Sequence, residues 1–276
     1  MRARGGGHRQ QQQQRAAGAE LTARAARDFF LGRRLRIAFS CDIRGKPGGQ
    51  LGLQGTRVRV GCKQTMPRAG LVHGSTRIAW RAQRPQIFEE DFEKGQNRWE
   101  VTDSKSWTHR KVDGNQVFGI NRRNSDYKPK FRSPYHIALI KGVEVADFEL
   151  TFDVKSTKDT GGHRDCCVFF NWQDAEHFYY CHFGANPDPH SGQIMIVKNA
   201  PRKAMTNNKN KTPWKNETWH KIKVVRDSKK GTIEVYFDDM TKPHMNVVDK
   251  TYGKGRIGIG SFDDMNDFDN IKLRGR

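Results

Sequence analysis

Three acidic residues at alternate positions, Glu89, Asp91 and Glu93, lie within the stretch IFEEDFEKG at residues 87–95. Side chains of a β-strand alternate between the two faces of a sheet, so these three carboxylates would point to the same side. Paired carboxylates can act as the acid and nucleophile of a glycosidase, and clustered carboxylates can bind calcium. A third interpretation is that they are exposed acids that keep an edge strand soluble.

The neighbours of these acids argue against catalysis. Phe88 and Phe92 would share the opposite face of the strand, which indicates that this other face is the buried one. Spacing alone is not decisive, because Cα atoms four residues apart in a strand are separated by about 13 Å and long side chains would have to converge to reach the roughly 5.5 Å of a retaining glycosidase. The pattern therefore favours a cation-binding or solvent-exposed role over a catalytic one.

A second group of polar and aromatic residues lies on one predicted hairpin and in the loops beside it. Aromatic faces stack on the C–H surfaces of sugars, and carboxylate, amide and guanidinium groups form paired hydrogen bonds with hydroxyl groups. We expect a ligand to contact Arg164, Asp165, Asn171, Trp172, Tyr179, His182 and His190. The alternative is that the aromatic residues only fill the core, because every strand of a sandwich has one buried face.

The same hairpin supplies the acid–base candidates for an enzyme. They are His163, Arg164, Asp165 and His182. Side chains of these types can donate or accept a proton near neutral pH when their surroundings adjust them. Alternation along the first strand places Asp165 and Asn171 on one face and Trp172 on the other, so we expect a sheltered, partly aromatic groove on this sheet.

The loop that follows the hairpin, residues 184–192, contains two prolines and carries Asp188 and His190. Loops held by a rigid sandwich often carry specificity, which would put these two residues at the rim of the groove. A surface turn without function fits the same residues.

The elements that must position these residues are strands. From Ile87 onward, short runs of β-branched and aromatic residues are separated by Gly, Asn, Asp and Pro clusters. Thirteen such runs without a convincing amphipathic helix predict an all-β sandwich of two sheets. In the clearest run, residues 148–154, apolar residues occupy alternate positions. We expect antiparallel hairpins at 165–183 and 219–237, the second with Gly231 at positive φ.

The N-terminal region differs in composition from the rest of the chain. The 276 residues carry a formal charge of +20, and residues 1–86 hold 18 Lys+Arg but only 3 Asp+Glu. A glutamine run among Arg-, Gly- and Ala-rich sequence has too little apolar content to offset the entropy of ordering, which predicts a disordered arm. The arm has no recognisable nucleic-acid-binding pattern, so nucleic acid is not the expected partner. A translation start downstream of the arm is an alternative interpretation.

Several classes of protein lose support from the sequence. No apolar run matches a signal peptide, and none approaches the roughly 18 residues of a membrane-spanning helix. The chain has no P-loop, dinucleotide fingerprint, nucleophile elbow or HExxH motif, and we expect no organic cofactor. The sequence does not indicate an oligomeric state.

The five cysteines, Cys41, Cys62, Cys166, Cys167 and Cys181, include no CxxC pair and do not have the spacing of a zinc site. A disulfide between Cys167 and Cys181 requires one particular register of the hairpin, because a one-residue slip puts them on opposite faces. The other expectation is buried thiols that pack as small apolar groups.

Five segments of the C-terminal part resemble a known superfamily. They are FNWQDAEHFYY from Phe170, TWHKIKVVRD from Thr218, GTIEVYFDD from Gly231, GRIGIGS from Gly255 and FDNIKL from Phe268. Together they resemble the laminin-G-like branch of the concanavalin A-like lectin/glucanase superfamily, and more distantly the bacterial 3-keto-disaccharide hydrolase family. The resemblance implies an antiparallel jelly-roll sandwich over residues 87–276, with residues 1–86 as a separate extension.

The resemblance also implies a function, a cation and a location. It favours carbohydrate binding, to a glycan or polysaccharide; the alternatives are a glycoside hydrolase or lyase of the same fold, or a protein-interaction module. Such jelly rolls often bind one structural calcium ion between their first and last strands, which here points to Glu89, Asp91 and Asp269. An extracytoplasmic location is expected from the resemblance alone.

Overall fold

The computed structural model describes residues 84–276, which form fifteen strands and two 3-10 turns. The predicted N-terminal arm lies outside the described residues except for its last three. The strands, in chain order, are β1 (Gln86–Glu90), β2 (Trp99–Val101), β3 (Trp107–Val112), β4 (Asn115–Ile120), β5 (His136–Val145), β6 (Phe148–Ser156), β7 (Cys167–Asp174), β8 (His177–His182), β9 (Gln193–Lys198), β10 (Lys203–Ala204), β11 (Trp219–Asp227), β12 (Thr232–Phe237), β13 (Met245–Val248), β14 (Gly255–Ser261) and β15 (Asn266–Gly275). The 3-10 turns are Ser104–Ser106 and Gly161–His163.

The strands form two antiparallel sheets. One sheet has the order β13-β12-β11-β6-β15-β4-β3, with β1 also paired to β15, and the other has the order β10-β9-β8-β7-β14-β5-β2. The predicted all-β sandwich of two sheets is thus confirmed. In residues 84–276 no helix is long and apolar enough to cross a membrane.

The main core lies between the sheets, and alternation along the strands explains its composition. On β6, Phe148, Leu150, Phe152 and Val154 are fully buried, as the sequence predicts. The same core receives alternate residues of the seven-stranded sheet, including Val168 of β7. Burial of this large aromatic and aliphatic surface supplies the main driving force for folding.

A second apolar cluster covers the opposite face of the seven-stranded sheet. Its buried members are Ile137, Leu139, Cys167, Phe169, Trp172, Phe178, Tyr180, Met195, Val197 and Phe262. Trp172 stacks on Phe178 with ring centroids 4.1 Å apart. The centre of this face is therefore packed rather than open, and the predicted groove does not run along it.

The predicted elements agree closely with the structure. All thirteen predicted runs correspond to strands, and both predicted hairpins are antiparallel, with Gly231 at φ 83°. The sequence missed β10 and β13, because edge strands of two and four residues are too short to show a period-two pattern.

The alternation predicted for β7 fails at its end. Asn171 has φ 47°, and the register against β8 shifts between Phe170 and Asp174. A bulge of this kind turns the following side chain to the other face. Trp172 consequently lies with Phe169 and Phe178 in the second cluster, so its predicted face is wrong.

The register of the β7–β8 hairpin decides the question of a disulfide. Cys181 lies opposite Val168, and His182 lies opposite Cys167. Cys167 and Cys181 therefore face opposite sides of the sheet, and the three described cysteines are free and buried. The disulfide alternative is wrong, and the expectation of buried thiols is confirmed.

The first strand behaves as its alternation predicts. Phe88 and Glu90 are buried, whereas Glu89 is exposed, and β1 pairs with the last strand, β15. Phe92, beyond the strand end, is also buried.

Candidate functional site

The site lies where β7 begins and β8 ends, on the outer face of the seven-stranded sheet. His182 lies opposite Cys167, and Asp165, two residues before Cys167, points to the same face. The Oδ2 atom of Asp165 lies 3.5 Å from Nε2 of His182, and both side chains are buried. At this end of the second cluster, two polar side chains thus occupy positions on a face that is otherwise apolar.

This pair lines an open pocket of about 520 Å³, including the solvent at its mouth. The enclosed part measures about 160 Å³, below the roughly 300–1,000 Å³ of sites that enclose a drug-sized ligand, so the pocket can hold only part of such a ligand. The basic side chains that line it are Arg123, Arg132, Arg202, His163, His182 and His190.

The remaining wall is acidic and aromatic. Asp165, Asp188 and Asp263 are its carboxylates, and Ser191 and Phe262 complete it. The ring of Phe262 stacks near the His182 imidazole, with centroids 5.9 Å apart. The pocket therefore combines one aromatic face with a ring of charged groups.

Asp165 is held as a carboxylate. Its Oδ1 atom accepts hydrogen bonds from the Ser261 hydroxyl at 2.8 Å and from the backbone N–H of Phe262 at 2.9 Å. Burial alone would raise the pKa of Asp165, but His182 and these donors outweigh it and lower the pKa below its usual value. A fixed negative charge thus lies beneath the pocket.

His182 faces an oxygen acceptor at each ring nitrogen. Nδ1 lies 2.9 Å from the carbonyl oxygen of His190, and Nε2 faces Asp165. Only the doubly protonated ring can donate from both nitrogens. The 3.5 Å contact is longer than a normal N–H···O hydrogen bond, and Nε2 has no hydrogen-bond partner within the described residues. Nε2 is itself buried, so it is a covered donor without a close acceptor beside Asp165.

A second carboxyl group lies behind the pair. Oδ2 of Asp264 accepts hydrogen bonds from the backbone N–H of Asp165 and from the Thr160 hydroxyl, each at 2.8 Å. Burial, together with the charge of Asp165, raises the pKa of Asp264 to about 6. One carboxyl is therefore kept ionised while its neighbour holds its proton into the mildly acidic range, a division of roles common where proton transfer occurs.

The structure brings together four of the predicted residues. His163, Asp165, His182 and His190 all line the pocket, and Asp188 lies beside His190 as the loop pattern suggests. Three segments position them: the 3-10 turn that ends at His163, the β7–β8 hairpin, and the loop at 184–192.

Two other predicted residues are used for internal contacts. Arg164 is buried and its Nη2 atom contacts Asp159 at 2.9 Å and Asn216 at 2.6 Å. Asn171 is fully buried, and its side-chain amide donates to the carbonyl groups of Val145 and Gly253. Neither residue lines the pocket, so the prediction that they contact a ligand there is wrong.

The two remaining predicted residues belong to packed clusters. Trp172 lies in the second apolar cluster because of the bulge described above. Tyr179 points into the core between the sheets, where its hydroxyl donates to Asp249 and accepts from the N–H of Tyr252. The sequence placed both in the groove because it could not show which aromatic rings are enclosed.

The sequence missed the arginines and the aromatic wall of the pocket. Arg123 and Arg132 come from the long connection between β4 and β5, Arg202 from the turn before β10, and Phe262 and Asp263 from the turn after β14. These residues lie in irregular segments, where no periodic pattern indicates direction. Only the general basic composition of the chain hinted at them.

One set of metal-ligand types occurs among residues 84–276. Ligand atoms of Asp165, Cys167 and His182 lie within 4.8 Å of one another. Burial, together with the nearby Asp165 charge, raises the pKa of the Cys167 thiol well above its usual value. A cysteine binds metal as a thiolate, so a cation at these three residues would have to displace the proton of the Cys167 thiol.

The predicted calcium ligands lie near the pairing of β1 with β15. Glu89 forms an ion pair with Lys272 at 3.1 Å. Asp91 accepts from the N–H of Glu93, and Asp269 accepts from the side chain of Asn115 at 2.8 Å. Each carboxylate therefore has a partner in the protein, and calcium binding stays a prediction.

The model of one protein family, the 3-keto-alpha-glucoside-1,2-lyase-like domain, matches residues 87–274. The chain belongs to this family. It is thus a member of a carbohydrate-related family, and the expected lectin/glucanase-like fold is confirmed. The more distant of the two resemblances noted in the sequence is the one that identifies the family.

The chain is also similar to several solved structures, of which three are described here. The carbohydrate-binding module CBM66 of Bacillus subtilis is 16% identical over 64% of this chain and 96% of its own, with a TM-score of 0.47. Winged bean acidic lectin, complexed with methyl-α-D-galactose, is 12% identical over 67% and 96%, with a TM-score of 0.46. A xylan β-1,4-xylosidase from Bacillus halodurans is 14% identical over 67% and 38%, with a TM-score of 0.46. No curated protein sequence matches the chain.

Proposed function

We propose that this domain cleaves a glycosidic linkage by elimination, on a sugar oxidised to a ketone at C3, with the Asp165–His182 pair at the centre of its site. The observation that carries the proposal is that pair. It places two ionisable groups on a sheet face whose neighbouring positions are apolar, and Nε2 of His182 has no hydrogen-bond partner in residues 84–276. Burying such a pair costs free energy, so stability alone gives little reason to keep it.

The reaction needs two kinds of group. A base removes the proton from C2, and the electron pair moves onto the C3 oxygen to form an enolate. The electrons then return to form a C1=C2 double bond while the C1–O bond breaks, and the departing oxygen takes up a proton. A positive group beside the C3 oxygen and a base beside C2 are therefore required.

The pocket offers both kinds of group. A doubly protonated His182 ring, supported by ionised Asp165, places a positive charge at the pocket wall, where it is suited to stabilise the enolate oxygen. His163 and His190 are exposed at the rim and are the candidates for the base. Phe262 offers an apolar face to the sugar ring.

The test uses methyl 3-keto-α-glucoside in deuterated water, with methanol release and exchange of the C2 hydrogen of the remaining substrate for deuterium followed by NMR. We expect wild-type protein to release methanol and D165N to be slower by about 100-fold or more. The matched control is D103N, which neutralises another buried aspartate outside the pocket and should retain its rate per folded molecule. Equal rates for wild type and D165N, or no release by wild type, would reject the proposal.

Carbohydrate binding without cleavage is the second candidate, and the aromatic wall favours it. Phe262 is flanked by guanidinium groups and a histidine, an arrangement that can bind a sugar by stacking and hydrogen bonds without any chemistry. A ligand-dependent rise in melting temperature with no methanol release would select this second function.

A further inference from the structure

The pocket has two arginines without an acidic partner. Arg123 is paired with Asp263 through Nε at 3.2 Å and Nη2 at 2.9 Å. No carboxylate of residues 84–276 forms an ion pair with Arg132 or Arg202 in the same way. Their positive charges are therefore not balanced within the described part of the chain.

These two arginines are held in place at one wall. The backbone N–H of Arg202 donates to the carbonyl oxygen of Arg132 at 3.0 Å, which ties the two segments together. Their guanidinium carbons lie 4.3 Å (Arg202) and 5.4 Å (Arg132) from the centroid of the Phe262 ring. The two cations thus converge on the aromatic ring that forms part of the pocket.

Arg202 in addition lacks hydrogen bonds. Its Nε and Nη1 atoms are buried and have no hydrogen-bond partner in the described structure. Arg202 is nevertheless half-buried at the pocket wall, where an anionic ligand group would supply an acceptor and a countercharge to its guanidinium.

The acids of the pocket do not supply that countercharge. Asp165 faces His182, and Asp263 is used by Arg123. Asp188 accepts the backbone N–H of His190 at 2.6 Å, which holds the rim loop. The pocket is therefore divided into a proton-transfer side at Asp165–His182 and a cationic side at Arg132–Arg202.

We propose that the saccharide bound here is acidic, carrying a carboxylate or a sulfate ester that is bound by Arg132 and Arg202 while its ring lies against Phe262. This inference rests on the proposed function, because it assigns the substrate class of the same site. Guanidinium groups bind both types of oxyanion through paired N–H···O bonds, so the two sources share one chemistry.

The experiment compares sugars that differ only at C6: methyl α-glucoside, its C6 carboxylate (the glucuronide) and its 6-sulfate, with inorganic sulfate alone as a fourth probe. Titration calorimetry at low salt gives the affinities. We expect at least one acidic sugar to bind about tenfold or more tightly than the neutral one, and inorganic sulfate to bind more weakly than the sugar sulfate. High salt should reduce the preference.

The variants are R202Q and R132Q, which should each reduce the preference for the acidic sugar. The matched control is R98Q, because Arg98 also lies over a phenylalanine ring, 3.9 Å from the centroid of Phe88, but does not line the pocket. A preference unchanged in R202Q and R132Q would overturn the inference.

Two results separate this inference from the proposed function. If neutral and acidic sugars bind equally while methyl 3-keto-α-glucoside is still cleaved, the acidic substrate is rejected and the elimination stands. If no sugar binds and none is cleaved, both are rejected. Inorganic sulfate that binds as tightly as the sugar sulfate would reject a saccharide as the ligand of the two arginines.

Discussion

Two aspartates of this domain have little solvent exposure and opposite surroundings, and Asp165 is the more deeply buried of the two. Asp103, at the start of the first 3-10 turn, accepts from the Ser106 hydroxyl and Arg122 Nη2, each at 2.7 Å, and from the N–H of Asp126 at 2.9 Å. Asp165 has two good donors, but its charged partner His182 is 3.5 Å away. Asp103 is enclosed by its partners, whereas Asp165 lines a pocket.

The difference shows which property indicates a site. The pKa is lowered for both aspartates: burial opposes the shift in each case, and hydrogen bonds and nearby positive charges outweigh it. Burial and a shifted pKa therefore do not distinguish a structural carboxylate from a functional one. Two other properties distinguish the functional carboxylate: its partner has a donor without an acceptor, here Nε2 of His182, and the pair lines a cavity.

The largest effect is expected when the positive partner of each aspartate is removed. We expect H182Q to slow elimination by about 100-fold or more, because the glutamine amide carries no charge to stabilise the enolate. R122Q should retain the rate per folded molecule and be only slightly less stable to urea than wild type, because Asp103 keeps its other donors. Methanol release and urea unfolding measure the two quantities, and a slow R122Q with a normal H182Q would reverse the assignment.

The next effect concerns pH and compares Asp264, behind the pocket, with Asp103. The pKa of Asp264 in the folded protein is about 6, above its ordinary value of 3.8, so the folded state holds this proton more tightly and loses stability as pH rises through this interval. D264N should therefore gain stability relative to wild type between pH 4 and pH 7, by on the order of 2 kcal/mol.

Asp103 should show the opposite trend, because its pKa is lowered in the folded state and its contribution is lost as the pH falls through the acidic range. D103N should accordingly be most destabilised relative to wild type near neutral pH, and less so below pH 4. Melting temperatures of the three proteins across this range test both signs. Parallel curves for D264N and wild type would contradict the raised pKa.

The smallest effect extends the comparison to a third acidic group, the predicted calcium ligands Glu89, Asp91 and Asp269. Calcium at about 1 mM should stabilise the domain by no more than about 1 kcal/mol for a site of millimolar affinity. The gain should be smaller in E89Q than in wild type. A melting temperature that neither calcium nor a chelator changes would end the calcium prediction.

The sequence was sufficient to predict the strands of the two sheets, because the alternation of apolar and polar residues can be seen among residues adjacent in the chain. The buried face of residues 148–154 and both hairpins follow from local pattern alone. The face of Trp172 does not, because the left-handed conformation of Asn171 and the resulting bulge depend on tertiary contacts, among them the close approach of Gly255 to the backbone of Asn171 and Trp172. That the chain divides at residue 87 stays a prediction, as does an extracytoplasmic location.

The candidate site was only half visible for a related reason. His163, Asp165, His182 and His190 lie on or beside one hairpin, so their proximity could be inferred from sequence neighbours. Arg132 and Arg202 are about seventy positions apart in the sequence, and a backbone hydrogen bond between their two loops brings them together. Contacts between distant irregular segments produce no periodic pattern in the sequence. The positive charge of the pocket therefore could not be predicted from the strand patterns.

The rim loop at 184–192 has a consequence for how this domain can change. Its His190 carbonyl orients the His182 ring, while the His190 side chain borders the space that the ligand occupies. The loop is closely fitted, since a Cβ added at Gly184 would lie 1.6 Å from the Ser191 hydroxyl. Loop exchange, the usual way to alter what a sandwich protein recognises, would therefore also turn the imidazole to which we assign the proposed elimination. New specificity is more easily reached here through the arginine segments, whose replacement leaves that ring in place.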